Sequence, residues 1–219
     1  MVSPPISVGS NPDEVAVTRD GGRVYVNNHL SNDVSVIDTA TGLVTTIGVG
    51  ERPSGVAIAP DGDRVYVTNS RSDTVSVIDT KSGLVTPIPV GDIPGGVAVS
   101  LDGLRVYVAN SGSNTVSVID TTNNAVIAID VGDRPDQVAV TSDGSRVYVT
   151  NADSGTVSRI DIASKVVTPI RVGDRPFGVA VARMIVASMW PISVPTPCRR
   201  LIPRVTPSLI SLSGTVQPG

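Results

Sequence analysis

A 41-residue period, four short β-branched segments inside each period, and strands apolar on both faces predict an all-β fold. The architecture expected from them is a β-propeller of four-stranded antiparallel blades with an incomplete ring. Repeated landmarks set the period. Gly9, Gly50, Gly91, Gly132 and Gly173 are each 41 residues apart, and so are Pro12, Pro53, Pro94, Pro135 and Pro176. Tyr25, Tyr66, Tyr107 and Tyr148 keep the same step, as do Asn28, Asn69, Asn110 and Asn151, and Asp38, Asp79, Asp120 and Asp161.

The second repeat shows the elements in order. Its strands are predicted as GVAIA from Gly55, RVYVTN from Arg64, TVSVID from Thr74 and LVTPIPV from Leu84. Each is rich in β-branched residues and bounded by turn residues. Pro60-Asp61-Gly62 makes the first hairpin turn, with Pro fixing φ and Gly accepting positive φ. The third turn ends on Gly83, matched by Gly42 and Asn124. Lys165 takes that place in the fourth repeat, where a left-handed backbone costs a side chain more, so this turn is predicted to be strained. Val65, Tyr66 and Val67 run without a polar break, which calls for sheets covered on both sides. A β-solenoid rung is usually shorter, and a sandwich has no reason to repeat at this period.

The 219 residues suffice for one large domain or a repeat array. Gly and Pro total 38 and aromatics only 3%, a sheet protein's balance. Net charge is −3, and residues 183–219 hold four Arg (Arg183, Arg199, Arg200, Arg204) and no acid, so the rest carries −7. An acidic surface argues against nucleic acid and anionic membranes as partners. A single Cys and a single His exclude an intrachain disulfide and a His or Cys metal cluster. No apolar run reaches spanning length.

The segments VYVNN (24–28), VYVTN (65–69), VYVAN (106–110) and VYVTN (147–151) sit in a wider pattern of VGxxPxxVAV, DG, RVYVTN and TVSVID. This resembles the YVTN family of β-propeller repeats over residues 6–181. The resemblance implies a seven-bladed ring and a bacterial or archaeal extracytoplasmic or cell-surface setting. This chain departs from it in showing four full periods, and MVSPPISVG has neither the basic start nor the apolar stretch of a signal peptide.

The domain expectation has three parts. Residues 1–9 read as the last strand of a preceding blade, since Ile6–Gly9 matches Ile47–Gly50. Residues 10–181 hold four repeats and the start of a fifth. Residues 182–219, with six Pro, the only Trp and the only Cys, read as an irregular tail. Taking the third base of each codon with the first two of the next, Met184–Ile185 encodes aspartate. Met189–Trp190 and Trp190–Pro191 encode Val-Ala, as at Val108-Ala109. Further permitted junctions give a string such as SPDDRRVYVANIGSDTVSAIDTASNSVID, then VGDRP, so the tail reads as a fifth blade out of frame. A sequencing error, a pseudogene lesion and a truncating allele all fit that reading.

Candidate sites lie on the loops entering each innermost strand: Ser10-Asn11, Glu51-Arg52, Asp92-Ile93, Asp133-Arg134 and Asp174-Arg175. Loops on a rigid scaffold collect binding residues, and the competing reading is a solvated acid–base rim. Just past each Pro, Asp13, Glu14 and Asp136 stand at the expected channel mouth, where oxygen ligands could meet a cation or simply solvate a turn. Asp20, Asp61, Asp102 and Asp143, and Asp38, Asp79, Asp120 and Asp161, recur in every blade and read as turn caps. No catalytic constellation or phosphate loop is visible and no cofactor or metal is expected. The functional expectation is a non-enzymatic binding or scaffold module, a fragment of a longer seven-bladed protein. Its partner is an unknown protein or small ligand, with self-association through exposed blade faces. The alternatives are a non-functional product of a frame-shifted gene, and a propeller enzyme such as a lactonase or quinone-linked dehydrogenase.

Overall fold

The structure, a computed structural model, describes residues 5–181 and the backbone of residues 210–211. Every element is a β-strand. Blade 1 contains β1 (Pro12–Val17), β2 (Arg23–Asn28), β3 (Asp33–Asp38) and β4 (Val44–Gly48). Blade 2 contains β5 (Pro53–Ile58), β6 (Arg64–Asn69), β7 (Thr74–Asp79) and β8 (Val85–Pro89). Blade 3 contains β9 (Pro94–Val99), β10 (Arg105–Asn110), β11 (Thr115–Asp120) and β12 (Val126–Asp130). Blade 4 contains β13 (Pro135–Val140), β14 (Arg146–Asn151), β15 (Thr156–Asp161) and β16 (Val167–Arg171). Each blade is an antiparallel meander in chain order. The first strand starts at the repeated Pro, two residues before the predicted Gly55, because a bulge lets the Pro pair with the Asn that ends the second strand.

The strands are covered on both faces, as the unbroken VYV runs require: Val65, Tyr66 and Val67 are all buried. Each junction between blades encloses its own apolar cluster. Between blades 1 and 2, Tyr25, Val34 and Val36 meet Val56, Val65, Val67 and Ile78. The same positions, one and two periods on, fill the next junctions.

The landmarks are internal struts. Asn28, Asn69, Asn110 and Asn151 are buried, and each donates to a serine hydroxyl seven residues on, at 2.9–3.0 Å. The repeated Gly lies flat against that Asn: a Cβ on Gly50 would sit 2.6 Å from Asn69 Cγ. Thus the Gly and the Asn recur together because one makes room for the other.

The ring is open. On blade 1, the face that would meet a preceding blade leaves Val15 57% and Val17 56% exposed, whereas Val56 and Val138, at Val15's position in blades 2 and 4, are 6% exposed. Of residues 1–9, expected as the last strand of a preceding blade, the described residues 5–9 are not in a strand. After blade 4, β17 (Ala180–Val181) covers the last two positions of what a fifth first strand would span, and pairs with β18 (Ile210–Ser211). The expectation of an irregular tail over 182–219 otherwise lies outside the described residues.

Candidate functional site

The innermost strand of every blade bulges at one place. Pro12 pairs with Asn28 and Val15 with Val26, so one extra residue is accommodated between them, and the other three blades repeat this. The bulge carries the residues expected at a channel mouth: Asp13-Glu14, Ser54-Gly55, Gly95-Gly96 and Asp136-Gln137. Bulges re-aim side chains, and here they also free backbone amides. The Gly55 N–H donates to the Thr68 hydroxyl at 2.7 Å, and the Gln137 N–H to the Thr150 hydroxyl at 3.0 Å.

Glu14 and Asp136 are half-buried on their bulges, whereas Asp13 is exposed. Burial raises the Glu14 carboxyl above its ordinary value, and the charges of Asp13 and Asp136 push the same way, against a hydrogen bond from the Val56 N–H at 3.0 Å. Burial also raises Asp136, opposed by Arg134. The three acids therefore share one electrostatic region. Glu14, however, is engaged in tying β1 to β5, and among the described residues no three His, Cys, Asp or Glu side chains are grouped to hold a metal ion.

The rim loops are built on a strained backbone. Asn11, Arg52, Ile93, Arg134 and Arg175, each just before the repeated Pro, have φ between 48 and 54°. For Ile93, a β-branched residue, this is a marked outlier. Three hydrogen bonds hold it there: its N–H donates to Asp73 Oδ1 of the preceding blade at 2.9 Å, and its carbonyl accepts from the Ser111 N–H at 3.0 Å and the Ser111 hydroxyl at 2.9 Å. Arg52 and Arg134 use Asn32 and Asn114 in the same way. Glu51, Asp92 and Asp133 each donate a backbone N–H to a serine hydroxyl, at 2.6–3.1 Å. On the surface, Glu51 meets Arg71 at 3.5 Å and Arg134 meets Asp153 at 3.6 Å, both pairs about half exposed or more. Asp174 and Arg175 line an open groove of about 700 Å³ with Asp153, Ser154 and Arg171. His29, beside this rim, sits with Nδ1 3.3 Å from the Pro53 carbonyl.

The recurrent aspartates cap turns. Asp20, Asp102 and Asp143 accept from a hydroxyl two residues back and a backbone N–H two residues on, which lowers all three, Asp143 to about 2. Asp61 lacks the hydroxyl, since Ala59 replaces Thr18, Ser100 and Thr141. Asp38, Asp79, Asp120 and Asp161 are lowered by the same kind of capping.

Sequence reading missed the ties between blades. Asn27 donates to the Ser54 carbonyl at 3.0 Å, Thr68 to Gly95 at 2.6 Å and Thr150 to Phe177 at 3.4 Å. The signal was a polar residue inside an apolar buried strand, which needs a partner.

Four antiparallel blades, each with its inner bulge toward a common axis, make the chain a β-propeller repeat protein. Residues 3–91 match the family described as lactonase, 7-bladed beta-propeller. Among solved structures, hydrazine synthase of Kuenenia stuttgartiensis is 31% identical with a TM-score of 0.74, covering 81% of this chain and 54% of that one. Virginiamycin B lyase of Staphylococcus aureus is 19% identical with a TM-score of 0.68, covering 77% and 59%. A Bacteroides uniformis protein assigned as a 6-phosphogluconolactonase is 15% identical with a TM-score of 0.62, covering 75% and 56%. The chain thus spans between 54 and 59% of these structures' lengths. No curated protein matches the sequence.

Proposed function

We propose that the chain is a non-enzymatic binding or scaffold module, a part of a seven-bladed propeller, that recognises a protein or small ligand through its rim. The rim residues of this reading are Glu51, Arg52, Asp92, Asp133, Arg134, Asp174 and Arg175, joined by Asp13, Glu14 and Asp136 at the channel mouth. The observation that carries it is the chemistry of that mouth. Gly55, Gly95 and Gly96 offer no side chain, and the Glu14 carboxylate is committed to the Val56 amide. The strained backbone before the repeated Pro, doubly anchored at Arg52, Ile93 and Arg134, favours a rim held in fixed shape, as a recognition surface requires.

The family match over residues 3–91 favours a second reading, a lactonase. Proton release from a panel of simple lactones separates the two. The scaffold reading expects no hydrolysis above buffer. Hydrolysis abolished by Glu14→Gln or Asp136→Asn would replace it with the enzyme.

A further inference from the structure

The bottom edge of each junction between blades forms a groove, and the repeats make the three grooves directly comparable. Between blades 1 and 2 it is lined by Arg23, Leu43, Thr45, Thr80 and Gly83 together with Asp38 and Asp79. Between blades 2 and 3, Arg64, Leu84, Thr86, Thr121 and Asn124 take the same places. In both, the arginine is spent on the next blade: Arg23 donates to the Thr80 carbonyl at 3.3 Å and Arg64 to the Thr121 carbonyl at 2.8 Å.

The groove between blades 3 and 4 differs at four positions together. Ala125 replaces Leu and opens the floor, Ile127 and Ile162 replace Thr and make the walls apolar, and Lys165 replaces Gly or Asn. Arg105 makes no hydrogen bond to a carbonyl of the next blade, unlike Arg23 and Arg64. Beside it lies the buried Tyr107 hydroxyl, held near the Arg105 guanidinium. The groove encloses about 280 Å³, near the lower end of the ~300–1,000 Å³ range that holds small molecules. Its lining has two cations against the single carboxylate of Asp120, whose oxygen already accepts from Thr122. The groove between blades 1 and 2 has one cation against two carboxylates. Lys165 keeps φ at 57°, the left-handed backbone that Gly42 and Gly83 adopt without strain.

We propose that the groove between blades 3 and 4 binds a small carboxylate with a compact apolar body. Arg105 and Lys165 hold the carboxylate, Ile127 and Ile162 cover the hydrocarbon, and a ligand oxygen on Arg105 stands next to the buried Tyr107 hydroxyl. The charge balance selects the anion, and the apolar walls select against small hydrophilic ions such as acetate.

The test titrates the full chain with hexanoate, hexanamide and hexylamine by calorimetry, with amide shifts recorded by NMR. Hexanoate is expected to bind saturably and at least about fivefold more tightly than the other two, with shifts centred on Ala125–Ile129 and Ile162–Lys165. Ala125→Leu, which restores the residue of the other grooves, should abolish binding. Lys165→Gly should weaken hexanoate about fivefold while raising the melting temperature, since it removes the backbone strain. Equal binding of hexanamide, unchanged affinity in Ala125→Leu, or no saturable binding of hexanoate would overturn the assignment. A Lys165→Gly protein that melts higher yet binds as before would remove Lys165 from the site.

Discussion

The Thr68 hydroxyl lies 2.6 Å from the Gly95 carbonyl oxygen of the next blade and 2.7 Å from the Gly55 amide of its own. One buried side chain thus satisfies the bulge of blade 2 and fastens it to blade 3. Removing the hydroxyl leaves a buried amide and a part-buried carbonyl short of a partner. Thr68→Val is expected to cost about 1–3 kcal/mol in urea unfolding. Blade 3 has Ala109 at this position, so Asp136 of blade 4 receives no such bond. Ala109→Thr should therefore stabilise by about 0.5–1.5 kcal/mol, because Thr68 and Thr150 already fit the same setting.

Two glycines two residues apart in sequence order their outcomes oppositely. An added Cβ at Gly50 would stand 2.6 Å from Asn69 Cγ, with a buried side chain that has no room to retreat. Gly50→Ala is expected to cost about 1–3 kcal/mol. Gly48, two residues earlier, has nothing within 4 Å of an added Cβ and no positive φ, so Gly48→Ala should be neutral or mildly stabilising. Thermal melts of the two variants check both signs.

The blades were legible because repetition acts as an internal control: a residue kept every 41 positions, such as Asn69 or Asp79, serves the blade that repeats it. The strain at Lys165 was legible for the same reason, since Gly42 and Gly83 show what its place requires. The bulge at Asp13-Glu14 was not, because it depends on which residue of β2 opposes Pro12. Nor was the positive φ of Ile93, which contradicts its local preference and is held by Asp73 in another blade. Glu14 shows the limit most plainly: three nearby acids suggested a cation, while the Val56 amide that its carboxylate accepts from belongs to a neighbouring blade 42 residues away.

Acid stability should divide by site. Asp143 is lowered from 3.8 to about 2, chiefly by the Thr141 hydroxyl, so its contribution is present above pH ~4 and is lost as pH falls through about 2. Thr141→Ala should bring that loss to higher pH, observable as an earlier acid transition. Glu14 behaves in the opposite sense. Burial raises its carboxyl, so its share of stability is complete below the ordinary value of 4.5 and declines as pH rises through the raised one. Glu14→Gln keeps an acceptor for the Val56 N–H and removes the buried charge. It should melt higher than the parent at pH 7 and equal it near pH 4.

The exposed face of blade 1 makes the last prediction, because the repeats supply its control. Val15 and Val56 occupy the same position, one 57% exposed and the other 6%. Burying a valine contributes about 1.5–3 kcal/mol, so Val56→Ser should destabilise by roughly that amount while Val15→Ser should change stability by less than about 0.5 kcal/mol. An apolar face shaped for a neighbouring blade is also where chains associate. The double variant Val15→Ser, Val17→Ser is therefore expected to shift light scattering from larger species toward the 22.5 kDa monomer. Unchanged association in that variant, with Val56→Ser still unfolding early, would place the contact elsewhere on the molecule.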